Sequence, residues 1–144
     1  MGLDMYLSAQ KYVCIADRTD AVAEALGFSG TYPVSYVTLE LYYWRKANAI
    51  HQWFVDNVQS GEDDCKNYHV SSAQLLALVQ ALARISADHS LASALLPTSA
   101  GFFFGNVEYD EGYFETVTET HEKLLAILAD SELASCDFYY HSSW

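Results

Sequence analysis

The segment Tyr43–His51 brings together side chains that can bind an anion. It holds two of the chain's seven basic residues. The apolar spacing that begins at Trp44 predicts a helix, whose N-terminal end favours anions. A phosphate site would use the residues Trp44, Arg45, Lys46, Asn48 and His51, with Trp44 or Trp53 stacking on a base. The alternative is a set of salt bridges to acidic neighbours.

A second group of polar residues carries three carboxylates within four positions, at Glu108, Asp110 and Glu111. Carboxylates this close can bind a metal ion or serve as a general acid and base. Asp110 is also a good helix cap, and acids in a first helical turn complement the helix dipole. Because the cap accounts for these residues without a ligand, we predict no metal site.

An acidic ridge is predicted on the helix that follows. Its carboxylates are spaced by four, four and three residues, so they line one helix face: Glu111, Glu115, Glu119 and Glu122. Neighbouring side chains of this ridge would be about 6 Å apart, similar to the phosphate spacing of a DNA strand. The ridge could therefore enter a basic groove on another protein as a DNA mimic. A plain solvated helix face is the alternative.

The remaining titratable residues give weaker signals. His51 and His121 fall on apolar helix stripes, where a histidine is more often a hydrogen-bonded core residue than a ligand. Cys65 and His69 have a spacing that a metal could use, but no second cluster completes a zinc site. The sequence also lacks the glycine-rich, metalloprotease, nucleophile-elbow and paired-cysteine motifs. We therefore predict no catalytic residues and no cofactor, and we favour a protein that is not an enzyme.

Composition limits the class of protein. The chain has 144 residues, 51% of them hydrophobic, and a formal net charge of −12. This length suits one domain with its own core, predicted to span residues 1–144. The charge disfavours direct contact with nucleic acid or an anionic membrane. The three cysteines do not form a disulfide framework, and no signal peptide or spanning segment is evident, so the cytoplasm is the expected location.

Three main helices are predicted to position these residues. The first runs from Trp44 to about Ser60. The second opens with a capping box formed by Ser71 and Gln74 and buries a stripe of leucines and valines. The third is capped by Asp110 and spans Glu111–Ala129. Shorter helical segments are expected at Asp20–Leu26, capped by Thr19, and at Leu91–Leu96.

The predicted strands are few and are not separated regularly by helices. They are expected at Leu3–Ile15, at Tyr32–Leu41, in the apolar run Gly101–Gly105 and in the aromatic tail Asp137–Trp144. Irregular alternation argues against a parallel βαβ fold. We predict an α+β domain with a small antiparallel sheet packed against about three main helices.

Several stretches together resemble a family of small proteins of tailed bacteriophages and prophages. They are MGLDMYL at the start, YWRKANAIHQWFV in the middle, GFFFG followed by EYDEGYF, and FYYHSSW at the end. The resemblance spans most of the chain, and is least evident from Ala9 to Leu41. It implies a viral protein that acts in the bacterial cytoplasm. It brings no known activity and assigns no role to any residue.

Two hypotheses about function follow. The first is an accessory phage protein that binds and modulates a host bacterial protein, including anti-defence inhibition such as that of a CRISPR complex, through the acidic ridge. The second is a pocket protein or small enzyme that takes a small anionic molecule such as a nucleotide, with His51 and Asp110 as acid–base candidates. The sequence leaves open whether the chain is a monomer or a homodimer.

Overall fold

The computed structural model describes residues 2–13, 20–29 and 32–144. Its centre is a four-stranded antiparallel sheet in the order β2-β1-β4-β3. The strands are β1, Asp4–Tyr12; β2, Tyr36–Arg45; β3, Tyr68–Val70; and β4, Asp137–Ser143. The helices are α1, Asp20–Ala25; α2, Asn48–Asn57; α3, Ser72–Ala87; α4, Ala92–Leu95; and α5, Glu111–Ala129. The predicted α+β class with a small antiparallel sheet is confirmed.

One face of the sheet packs into the core. In β1 the residues Met5, Leu7 and Ala9 are fully buried and alternate with partly exposed neighbours. Tyr140 of β4 is also fully buried, and its ring stacks on Phe54 of α2 with the centroids 3.9 Å apart. This period of two, seen in β1 and β4, places one side of each of these two strands in the core.

The helices that complete the core form for local reasons that the sequence shows. At the start of α3, the Ser71 side chain accepts a hydrogen bond from the Gln74 backbone N–H, and the Gln74 side chain accepts one from the Ser71 N–H. At the start of α5, Asp110 accepts a hydrogen bond from the Tyr113 N–H at 3.0 Å. Both caps satisfy N–H groups that the first helical turn leaves free.

Two predicted elements are wrong. The helix expected from Trp44 begins only at Asn48, because β2 continues to Arg45 and Trp44 pairs with Met5 in the sheet. Gly101–Gly105 is a turn and not a buried strand, since Phe102 is 96% exposed.

Smaller differences concern single residues and short elements. The apolar spacing of the last helix predicts a buried stripe that includes Leu125, but this side chain is 44% exposed. The three-residue strand β3 is too short for its sequence to predict it. The predicted cap Thr19 and the predicted strand end Ile15 lie outside the described residues.

No helix in the described ranges has the length and apolar character needed to cross a membrane.

Candidate functional site

A cavity of about 260 Å³ lies where α2 begins. Its walls are the segment Lys46–Ile50, the loop that leads from Leu96 to Asp110, and the first two turns of α5. The floor is apolar, with side chains from Leu96, Ile50 and Val117. Two groups of residues that are nearly fifty positions apart in the sequence therefore form this site, because the fold brings them together.

Asn48 fixes the loop that forms one wall. Its side-chain amide is buried and donates hydrogen bonds to the carbonyls of Phe104, at 3.0 Å, and Asn106, at 2.8 Å. Its carbonyl oxygen accepts a third from the Ser99 N–H at 2.9 Å. One side chain at the first residue of α2 thus holds two parts of the loop. Contacts within the protein therefore fix this wall of the cavity.

Lys46 is held in an unusual position at the cavity rim. Its φ is 55°, a left-handed conformation that non-glycine residues adopt rarely. Its N–H donates to the Leu3 carbonyl at 2.7 Å, which fixes the turn between β2 and α2. A Cβ on Gly105 would lie 3.0 Å from the Lys46 Cβ, and one on Gly2 would lie 3.2 Å from its Cε. The two glycines leave space for the lysine side chain.

Two carboxylates border the same cavity, those of Glu108 and Asp110. Both Asp110 oxygens already have donors: the Tyr113 N–H on one, and the Asn106 amide at 2.7 Å on the other. Glu108 forms no ion pair with any described residue. The same holds for Lys46, so the cavity carries one cation and one carboxylate that are not neutralised by a described partner.

The start of α2 adds positive potential to this rim. Its cap residue, Ala47, gives no side-chain hydrogen bond to the first turn, and that turn contains no acidic residue. Ala49 and Ile50, whose backbone belongs to this turn, border the cavity. N–H groups in a first helical turn lack partners within the helix and attract negative charge.

Beside the cavity, but not lining it, lies a buried polar network centred on His51. Nδ1 of His51 is 2.7 Å from the Tyr140 hydroxyl, and Nε2 is 3.1 Å from an Asp63 oxygen. Because a carboxylate only accepts hydrogen bonds, Nε2 is the donor to Asp63, and in the tautomer with its proton on Nε2 the Nδ1 atom accepts from Tyr140. The other Asp63 oxygen accepts from the Trp144 indole at 3.0 Å.

This network orders the core and does not face a ligand. His51 is fully buried, and the Phe104 ring meets it edge-on at 5.2 Å. Burial, and next the nearby Asp63 carboxylate, raise the pKa of Tyr140 well above its usual value. A neutral hydroxyl on a buried histidine therefore links α2 to β4 and, through Asp63, to the C-terminal residue Trp144.

The five residues predicted to bind an anion are only partly brought together. Lys46 and Asn48 border the cavity. Trp44 is buried and donates to Thr120 at 2.9 Å, so it has no face free to stack on a base. Arg45 is exposed at the end of β2, and neither it nor His51 borders the cavity. A helix that began at Trp44 would have included Arg45, but Arg45 is the last residue of β2 and precedes the helix.

The predicted acidic ridge lies along the solvent side of α5. All four of its residues are exposed, and no described cation forms an ion pair with them: Glu111, Glu115, Glu119 and Glu122. The Glu119 carboxylate, after the larger effect of burial, raises the pKa of the nearby Tyr42. Lys123 on the same helix lies over the Tyr42 ring, 5.9 Å from its centre. Lys123 borders the same groove as Glu119 and Glu122, so the ridge is a negative surface with one nearby cation and no ion pair within 4.0 Å among the described residues.

Few patterns in the sequence predict the cavity. Gly105 and Asn106 lie at the end of an apolar run and belong to no functional motif. Glu108 is distinguished in the sequence only by its acidic neighbours. The positive φ at Lys46 has no signal in its residue type, since lysine does not favour it. Among the described residues, no cluster of three or more His, Cys, Asp or Glu side chains is arranged to hold a metal ion.

Comparison with family models, curated proteins and solved structures found no match to this chain. The resemblance to phage proteins therefore stays a prediction.

Proposed function

We propose that the protein binds a small molecule in the cavity at the start of α2. The observation that carries this proposal is the preformed wall: the buried Asn48 amide holds three backbone groups of the neighbouring loop. A wall fixed in advance lowers the entropy cost of binding. An apolar floor with a few polar groups at the rim is the usual composition of a ligand site.

The size of the cavity limits the ligand. Its volume of about 260 Å³ is just below the range of about 300–1,000 Å³ found for drug-sized ligands. It suits a small metabolite better than a whole nucleotide. A nucleotide phosphate would also meet two carboxylates, from Glu108 and Asp110, and only one side-chain cation, from Lys46.

A cavity-filling variant tests the proposal. Thr116 and Thr118 of α5 both donate their hydroxyl to the carbonyl four residues earlier, at 2.9 and 3.0 Å, but only Thr116 borders the cavity. Fragments and small metabolites would be screened by ligand-detected NMR. We expect Thr116→Phe to abolish binding and the matched control Thr118→Phe to preserve it. Equal binding by both variants, or a screen without any binder, would refute the proposal.

A second function is favoured by the acidic ridge. Four exposed carboxylates without a described counter-ion give a surface that a basic protein groove would neutralise. Together with the phage resemblance, this supports binding to a host bacterial protein, with anti-defence inhibition as one form. It uses a different face of α5 from the cavity.

Charge reversal tests this second function. Glu115→Lys with Glu119→Lys would be compared with Glu24→Lys and Glu40→Lys, which change the net charge equally at exposed positions elsewhere. Each protein would be used to capture partners from bacterial lysate at low and high salt. We expect a captured protein to be lost with the ridge variant and with salt, and kept by the control. Equal capture by both variants would exclude the ridge.

A further inference from the structure

Resting on that proposed small-molecule site, we propose that its ligand is a small zwitterion: an apolar amino acid, or a compound that likewise carries a carboxylate, an ammonium and an apolar body. Residues of opposite charge border the cavity: Lys46 is a cation, and Glu108 and Asp110 carry carboxylates. No ion pair within 4.0 Å joins Lys46 to either carboxylate.

The positive part of the rim fits a carboxylate. A Cβ on Gly105 would lie 3.0 Å from the Lys46 Cβ, and one on Gly2 would lie 3.2 Å from its Cε, so the two glycines let the Lys46 stem lie close to the backbone. The uncapped first turn of α2 lies next to it in the chain. A lysine ammonium and helix N–H groups are hydrogen-bond donors only, and both favour a negatively charged group.

The negative part of the rim fits an ammonium. Asp110 is already engaged by the Tyr113 N–H and the Asn106 amide, so it contributes mainly its charge. The Glu108 backbone is fixed, since its N–H donates to the Asn106 side chain at 3.0 Å, while its carboxylate has no described ion-pair partner. Glu108 is therefore the group that we assign to the ligand's ammonium.

The apolar floor takes the third part of such a ligand. Leu96, Ile50 and Val117 are buried and border the cavity, and the Tyr113 hydroxyl donates its proton to the Leu96 carbonyl at 2.8 Å. This hydrogen bond holds the Tyr113 side chain beside the apolar residues. A phosphate would be repelled by two carboxylates, and a simple amine by Lys46, so neither fits this rim as well as a zwitterion.

Calorimetry with matched compounds tests the assignment. The probes are L-alanine, L-valine, L-leucine and L-phenylalanine, each compared with the carboxylic acid that lacks its amine and the amine that lacks its carboxylate. We expect at least one amino acid to bind about tenfold or more tightly than both of its analogues, because hydrogen bonds to charged groups are the strong ones.

Variants then locate each charge. Lys46→Met should weaken amino-acid binding about tenfold or more, and Glu108→Gln should do the same and also remove the preference over the acid analogue. Lys11→Met and Glu115→Gln remove the same charges at exposed positions outside the cavity and should change nothing.

The outcomes separate the inference from the proposed function. Equal affinity for an amino acid and its analogues overturns the zwitterion assignment, as does a lack of any amino-acid binding. If other fragments still bind and Thr116→Phe blocks them, the small-molecule function survives that result. If no compound binds at all, both are overturned.

Discussion

Replacing Asn48 by alanine is the most informative test of how the cavity is built. The change removes two donated hydrogen bonds and one accepted hydrogen bond, at 3.0, 2.8 and 2.9 Å. Each contributes about 0.5–1.5 kcal/mol net, and the three backbone groups lie in a loop that water can partly re-enter. We therefore expect Asn48→Ala to lower the free energy of unfolding by about 2–4 kcal/mol.

The assay is urea denaturation followed by the fluorescence of the three tryptophans, of which Trp44 is buried, with the slope of the transition compared between variants. Asn57→Ala is the matched control, because Asn57 is an exposed asparagine of the same helix with one side-chain hydrogen bond, to the Trp53 carbonyl at 2.8 Å. It should cost about 0.5 kcal/mol or less. Amide hydrogen exchange would add a local measurement, since the Ser99 N–H should exchange faster in Asn48→Ala.

A second substitution at the same position separates hydrogen bonding from packing. Asn48→Asp keeps the oxygen that accepts from the Ser99 N–H. It replaces the amide nitrogen, which donates to the carbonyls of Phe104 and Asn106, with a buried carboxylate oxygen that cannot donate. It should destabilise at least as much as alanine at neutral pH and less at acid pH, where a protonated carboxyl can donate again. If Asn48→Ala lowers the free energy of unfolding by less than about 1 kcal/mol, or by no more than Asn57→Ala does, Asn48 does not fix the loop.

Two further predictions concern backbone geometry and the buried network. Gly105→Ala should cost about 1–3 kcal/mol more than Gly61→Ala in urea denaturation, because both have a φ above 80° but only Gly105 would press a Cβ against Lys46, at 3.0 Å; equal losses would contradict this. Tyr140→Phe should cost about 1–3 kcal/mol at pH 7, since it leaves a buried ring nitrogen of His51 unpartnered. That difference should shrink above pH 10 by up to about 1.4 kcal/mol per pH unit. The pKa of Tyr140 is raised in the folded state, so the wild type is fully stabilised below the unfolded pKa of tyrosine and loses that contribution as pH rises above it; a constant difference would contradict the raised pKa.

The parts of the fold that sequence predicted well depend on neighbouring residues. The capping box of Ser71 and Gln74 sets the start of α3 by bonds within four residues. The Asp110 cap does the same for α5. The aromatic composition of the tail predicted β4, because aromatic residues favour strands whichever strand they pair with.

The parts that failed depend on distant residues. Trp44 fits the helical spacing of the residues after it equally well, but pairing with Met5 and a hydrogen bond to Thr120 keep it in β2. The run Phe102–Phe104 has the composition of a buried strand, yet it turns at the surface. Its position is set by Asn48, more than fifty residues earlier. No local pattern contains that contact, and the same contact creates the cavity.

The two candidate functions occupy different sides of α5, and this makes them separable. Tyr113, Thr116 and Val117 face the cavity, whereas Glu115 and Glu119 border shallow grooves on the outer surface. With 3.6 residues per turn, a helix presents these sets in different directions. Charge reversal on the outer side should therefore leave the ligand's contacts in place. A filled cavity should likewise leave the ridge exposed, so a variant that loses both functions would indicate that the ligand and the partner protein are coupled through this helix.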